Sequence, residues 1–325
     1  MPKTSSDVQR LTLNGPTMGT RWSALVDTDD AAQAAGLQKA LADAVQQVDR
    51  QMSPWLPDSA LNRLNRTPAG TWLDLPPEIL EVLACALEVN RRSQGAFDPG
   101  VGDLVQAWGF GPARQSPDAA AIRRAAQAAS APAHETLELD VAAGRAIKHA
   151  PIQLDLCGIA KGYAVDRMAQ VLRQYGLDHA LLALDGELRA LNSQAQGQPW
   201  AVAVEYPQDG RRATHSVVEL DNLSIATSGD YRHFLQLGEV RVAHTMDGRR
   251  RAPVRNDIAS VTVLAPDCMR ADAWATALLV SGNDGMALAQ SLGIEALWLL
   301  RRDNRLTTVG LGRFSEAVTD PKQAE

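Results

Sequence analysis

Asp272 and Thr276 stand four residues apart in Ala271-Asp272-Ala273-Trp274-Ala275-Thr276-Ala277, near the start of an Ala-rich helix. That spacing puts both oxygens on one side of the helix. A carboxylate and a hydroxyl are hard oxygen donors that suit Mg2+, with waters and substrate phosphate completing its shell; the same spacing also serves simple helix capping. In Asp155-Leu156-Cys157-Gly158-Ile159-Ala160-Lys161-Gly162, a strand ends in a carboxylate, a glycine begins the turn and a lysine follows at a helix N-terminus. Free backbone N–H groups and the helix dipole favour a phosphate or carboxylate there, and Lys161 adds a point charge. The G-x-x-x-x-G-K-[ST] spacing is missing, so this is no Walker loop, and strand–Gly–helix junctions also occur without function.

Two further groups carry hydroxyls, a base and flat apolar surface. Ala226-Thr227-Ser228-Gly229-Asp230-Tyr231 offers small hydroxyls around a glycine, suited to phosphate or a flavin ring. Ala243-His244-Thr245-Met246-Asp247 sets a histidine three residues before an aspartate, a base with a nearby carboxylate, although a lone histidine is more often structural. Met18-Gly19-Thr20, Met52-Ser53-Pro54-Trp55, Gly95-Ala96-Phe97-Asp98-Pro99 and Trp108-Gly109-Phe110-Gly111 place flat or soft apolar side chains beside glycines. Such segments sandwich an isoalloxazine or adenine ring, or else serve as core.

The elements that must position these groups follow from periodicity. Trp22–Val26 reads as a strand after the turn-prone Asn14-Gly15-Pro16. Leu37, Leu41, Val45 and Val48 predict an amphipathic helix over 31–52, and Leu80, Leu83, Ala84 and Leu87 another over 77–93. Residues 113–134 read as a solvent-facing helix, 136–139 and 146–148 as a hairpin, and 152–156 as a strand feeding a helix from Gly158 to about Tyr175. Strands are expected at 181–184, 200–205, 216–219 and 260–264, a helix at 271–280 and a final core strand at 296–301. Helices interleaved irregularly with short alternating strands predict an α+β architecture.

Composition narrows the partners. With 45% hydrophobic and 22% charged residues in 325, the chain is globular, and a net charge of −6 gives no basic field for nucleic acid or an anionic membrane. No stretch is long and apolar enough for a membrane span. The start, Met1-Pro2-Lys3-Thr4-Ser5-Ser6-Asp7, carries no secretory signal, so the chain as it stands reads as cytoplasmic, although a processed or trimmed periplasmic or membrane-attached protein would look the same. The three cysteines are far apart and form neither a disulfide framework nor a metal pair.

In their order, these segments resemble the FAD:protein FMN transferase family (ApbE-type). The resemblance runs from Met18 to about Gly282 and rests on Met-Gly-Thr, Met-Ser-x-Trp-x-x-Asp-Ser, Gly-Ala-Phe-Asp-Pro-x-Val-Gly, Asp-Leu-x-Gly-Ile-Ala-Lys-Gly-Tyr-Ala-Val-Asp, Ala-Thr-Ser-Gly-Asp-Tyr and Ala-Asp-Ala-x-Ala-Thr-Ala. It implies one domain over 1–325 made of two intertwined α+β subdomains, with mixed or antiparallel sheets flanked by helices and a ligand cleft between them. It further implies Mg2+ on Asp272 and Thr276 with main-chain oxygens of Gly158 and Ala275. Met18, Trp55, Ala96, Phe97, Asp98, Asp155, Lys161 and the His244–Met246 segment are implied to line an FAD site, with Thr227, Ser228 and Gly229 beside it.

The activity implied is transfer of the FMN half of FAD, through a phosphoester bond, to a Ser or Thr hydroxyl of an acceptor flavoprotein, with release of AMP. His244 is then the expected base, and Asp247 either competes for that role or orients it. The same residues would serve a Mg2+-dependent FAD pyrophosphatase, and a non-catalytic FAD-binding protein is the third reading. The chain departs from the family pattern at Asp247-Gly248-Arg249-Arg250-Arg251, where a proline, threonine and glycine are expected after the aspartate, and at Asp185-Gly186-Glu187, where a double glycine is frequent.

Overall fold

The computed structural model describes residues 8–113, 116–128, 131–207, 213–231, 234–237, 240–302 and 305–317. Its centre is an eight-stranded antiparallel sheet. In spatial order the strands are Gln9–Thr17, Thr20–Thr28, Ala180–Leu184, Glu187–Leu191, Ser224–Gly229, Ile258–Ala265, Glu295–Arg302 and Arg305–Gly310. Both faces are covered. Trp22, Leu182, Val261, Val263 and Trp298 pack under the helices, whereas Ala190, Ile225, Leu297 and Leu299 pack against a hairpin of Trp200–Glu205 and Thr214–Leu220. This is why Ala296-Leu297-Trp298-Leu299-Leu300 is apolar without alternation: every position meets a packed layer.

The helical layer follows the same logic. Ala34–Met52 buries the stripe Leu37, Leu41, Val45, Val48 and Met52, and Pro77–Arg92 begins at a proline, where a missing N–H costs no helical bond. The Cys268–Ser281 helix has almost no polar side, so it can only be central. It lies on the Ser224–Gly229 and Ile258–Ala265 strands and crosses the Ala160–Gln174 helix. Gly162 permits that crossing, because a Cβ there would stand 2.3 Å from the Cys268 carbonyl oxygen and 2.8 Å from Asp272 Cβ. The Asp166 carboxylate reaches across and accepts the N–H groups of Cys268 at 3.0 Å and Met269 at 2.9 Å, capping the second helix from the first.

The expected α+β class holds, and several local expectations are corrected. The first turn is not at Asn14-Gly15-Pro16, which lies within the edge strand, where proline is tolerated. It falls at Met18-Gly19, both at positive φ (46° and 71°), as a two-residue hairpin turn requires. Residues 152–156 form no ladder beyond one bridge from Gln153 to Val101. Their backbone is satisfied by other means: Asn65 bonds both the N–H and C=O of Leu154 at 2.7 and 2.9 Å, and Asp155 N–H reaches the Pro99 carbonyl at 2.7 Å. Of the helix expected over 113–134, residues 114, 115, 129 and 130 lie outside the described residues; among the rest it spans Ala119–Gln127, capped by Asp118, with a separate turn at Ala133–Thr136 after Pro132. Strands Glu187–Leu191, Ser224–Gly229 and Arg305–Gly310 have no counterpart among the expected strands; the last, not 296–301, ends the sheet. Among the described residues no helix is long and apolar enough to cross a membrane.

The crossing gives a stability prediction. Gly162→Val must push the two helices apart, and overpacking of this kind costs about 1–3 kcal/mol. A urea titration should show the loss; an unchanged midpoint would mean that the crossing tolerates a side chain.

Candidate functional site

The crossing helices and the Ser224–Gly229 strand bound a cavity of about 1080 Å³. Asp272, on the second turn of its helix, accepts the Gly162 N–H on Oδ2 at 3.0 Å. One turn later, Thr276 Oγ1 lies 2.9 Å from Ser228 Oγ, and a Cβ on Gly158 would come within 3.2 Å of the same oxygen. Both side chains line the cavity together with Asp155, Gly158 and Lys161, so one face of the Cys268–Ser281 helix and the 155–161 turn share a wall. Asp155 turns its carboxylate back on the Cys157 N–H at 2.7 Å, and burial raises its pKa.

Charge in this corner is predominantly negative. Burial pushes the Asp272 carboxyl up to about 6, opposed by Lys161 and the Gly162 N–H and reinforced by Asp166 and Asp185. Burial also pushes Glu187 up to about 8, against the attraction of Lys161. The Lys161 ammonium sits 2.8 Å from Glu187 Oε1 and 3.5 Å from Asp185 Oδ2. Burial disfavours that ammonium, but Glu187, Asp272 and Asp185 outweigh the effect and hold its pKa above the usual lysine value. Lys161 thus lines the cavity already engaged by carboxylates.

Aromatic surface forms another part of the wall. Trp55 is 56% exposed although it lines the cavity, so its ring faces open space. Phe97 is buried and fixed: its N–H donates to Ser93 Oγ at 3.0 Å and its carbonyl accepts from Asn90 Nδ2 at 2.7 Å. Met18, Ala96, Asp98, Thr227, Ser228, His244 and Met246 all line the same cavity. Asp98 is pushed upward in pKa by burial while accepting the Gly100 N–H at 2.8 Å. The His244 ring meets Phe110 edge-on, with centroids 6.3 Å apart.

Two expected residues stand outside the wall. Ala275 is fully buried inside its helix. Asp247 is buried in its own turn, where its carboxylate accepts the backbone N–H of Arg249 at 3.0 Å and pairs with the Arg249 side chain at 3.1 Å. The rest of the arginine cluster is also partly structural: Arg249 reaches the Val280 carbonyl at 3.3 Å, and Arg251 pairs with Asp103 and the Ala125 carbonyl. Conversely, Asp185 and Glu187 line the cavity without having been singled out as site residues. Their signal was the Asp-Gly turn between two strands, which sets Glu187 opposite Leu184 at the first position of the returning strand.

Comparison with known proteins places this geometry in a family. The model of the ApbE family matches residues 18–298. A Haemophilus influenzae protein named FAD:protein FMN transferase is 32% identical, covering 96% of this chain and 92% of its own. A Salmonella typhimurium protein of the same name is 36% identical over 83% of this chain and 78% of its own. Among solved structures, the flavin transferase ApbE from Vibrio cholerae superposes with a TM-score of 0.84 at 33% identity, covering 96% of this chain and 100% of that one. The Pseudomonas stutzeri flavinyl transferase ApbE gives 0.85 at 32% identity, over 97% and 99%. With matched residues running from the first turn to the last core strand, the chain belongs to the ApbE family and is an enzyme.

Proposed function

We propose that this enzyme takes FAD as donor and transfers its FMN half, as a phosphoester, to a Ser or Thr hydroxyl of an acceptor flavoprotein, with release of AMP and dependence on Mg2+. The observation that carries the reading is the Asp272–Thr276 pair on the wall of the cavity that also presents Trp55 and Phe97. A dinucleotide needs both a flat apolar surface for a ring and a place for its diphosphate. The names of the relatives support the same donor.

The donor set fits Mg2+. Asp272 and Thr276 offer hard oxygens one turn apart, Gly158 lines the same corner, and three carboxylates there, Asp185, Glu187 and Asp272, face one ammonium, Lys161. Asp272 and Thr276 would hold the ion, and the Gly158 main chain would contribute beside them. A bound magnesium ion would supply Lewis-acid neutralisation of the diphosphate charge.

The remaining work falls to the chain. Trp55 and Phe97 bind and orient the flavin and keep water from it, while Ser228, through Thr276, fixes the hydroxyl that faces the diphosphate. The acceptor hydroxyl oxygen bonds to the FMN phosphorus as the bond from that phosphorus to the AMP oxygen breaks, and AMP leaves with the electron pair. His244 takes the hydroxyl proton. Positioning and electrostatics carry most of the rate in such transfers, so the base contributes less than the cation site. Asp247, occupied by Arg249, fits a role in shaping the His244 turn better than proton transfer.

Incubation with FAD, Mg2+ and candidate acceptors should give a protein mass increased by FMN, with AMP released only when an acceptor is present. AMP release at the same rate without acceptor would make the enzyme an FAD pyrophosphatase; FAD retained intact would make it a carrier.

Asp272→Ala should abolish detectable turnover, whereas His244→Ala should lose about 10²–10⁴-fold and leave measurable activity. The reverse order would reassign both. A pH prediction follows from burial. With its pKa about 6 rather than 3.8, the Asp272 carboxyl favours the folded state at low pH and loses that contribution as pH rises through about 6, where a cation can replace the proton. The rise in melting temperature on adding Mg2+ should therefore be larger at about pH 7.5 than at about pH 5, and absent in Asp272→Ala. Equal shifts at both pH values would separate the cation from this carboxylate.

A further inference from the structure

The cavity wall includes Ala201, Val202, Ala203, Val204 and Glu205 in unbroken succession. Successive strand residues point to opposite faces. Here Val202 and Val204 are buried against the sheet, whereas Ala201 and Ala203 are exposed on the outer face. A space that touches both sets must run along the edge of the strand. One edge is taken by Thr214–Leu220; among the described residues no strand pairs with the other. The Tyr206 N–H bonds the Ala213 carbonyl on the Thr214–Leu220 side at 2.7 Å. Alternation then turns the N–H groups of Val202 and Val204 to that side and those of Ala201 and Ala203 to the open edge.

Open edges are ordinarily guarded by charge, proline or a bulge. Ala201 and Ala203 provide none, and the only irregularity in the pairing comes beyond them, between Val204 and Glu205. The cross-strand partner of Ala203, Val217, is 61% exposed, so the outer face beside Ala203 is apolar on its paired side. Leu181, Leu188 and Ile225 line the same cavity from the sheet. A row of main-chain donors and acceptors with apolar surface on either side is the arrangement that takes an added strand.

We propose that the acceptor polypeptide enters the cavity as an extended segment paired to the Trp200–Glu205 strand at Ala201 and Ala203, its Ser or Thr carried toward the Asp272–Thr276 end. This rests on the transferase reading, in which a polypeptide hydroxyl must share the cavity with FAD. Main-chain pairing recognises the extended backbone and leaves side-chain choice to the small space above Ala201 and Ala203. FAD has no repeating amide to match such an edge.

The probe is an equimolar library of peptides of about 12 residues with one central Ser or Thr, a length that covers the edge with residues to spare. Ala203→Pro deletes one outward N–H, and an edge accommodates proline. It should bind FAD with unchanged affinity yet form at least about tenfold less FMN–peptide adduct, and Ala203→Ser, which keeps the N–H, should form more adduct than Ala203→Pro. On adding peptide to the chain saturated with FAD and Mg2+, hydrogen exchange should slow at the amides of residues 201 and 203, and FAD alone should not slow it. Equal labelling by Ala203→Pro, or protection by FAD alone, would overturn the proposal. Protection that grows with protein concentration without peptide would assign the edge to a second copy and overturn it as well. Should Ala203→Pro fail to fold, the exchange measurement decides. Amide protection by peptide with no labelling at all would uphold the docking and count against the transfer reading.

Discussion

The bond from the Gly162 N–H to Asp272 Oδ2 joins the two helices on which the site is built, and it forms because no side chain intervenes between them. The Ala160–Gln174 helix contributes Lys161 at its start and Asp166 one turn on; the Cys268–Ser281 helix contributes Asp272 and Thr276. Asp166 caps the second helix while Gly162 holds the Asp272 carboxylate. One crossing therefore supplies stability and the spacing of the polar groups. Such a crossing cannot tolerate much variation, since protein interiors transmit a misfit rather than absorb it.

Burying these groups has an electrostatic consequence. Asp272 and Glu187 are nearly inaccessible to water, and burial raises the pKa of both. Lys161 relieves part of that cost by pairing with Glu187 and Asp185. Asp272 and Asp185 face the single ammonium of Lys161, a balance that in the proposed reading would favour a cation, which would in turn draw a diphosphate. In the proposed reading an anionic dinucleotide would be held in a chain of net charge −6 by attraction that is local, confined to a wall, and independent of the overall field.

The same sheet serves two purposes because both of its faces are covered. The helical face carries the corner of Asp272, Thr276 and Lys161, and the hairpin on the other face lies along the cavity. Trp55 and Phe97 contribute differently to the wall. Phe97 is locked by Asn90 and Ser93, so it presents a fixed surface, whereas Trp55 is largely exposed and gains burial only from whatever lies against it.

Much of this was legible in sequence because the informative features are local. The i,i+4 spacing of Asp272 and Thr276, the apolar stripe of 34–52 and the all-apolar run 296–300 are periodicities that backbone geometry imposes wherever the segment lies. The motifs, in their order, also indicated the family. Sequence failed where long-range partners decide. Asn65 takes the backbone bonds of residue 154 and prevents a strand, Arg249 occupies Asp247, and Glu187 with Asp185 claims Lys161. None of these pairings has a spacing rule, because each joins elements that meet only after the chain has folded. The residue types were thus determined by the sequence. Which carboxylate faces the cavity, and which is already satisfied, was decided by packing, since a buried charge must find its partner wherever the fold has placed one.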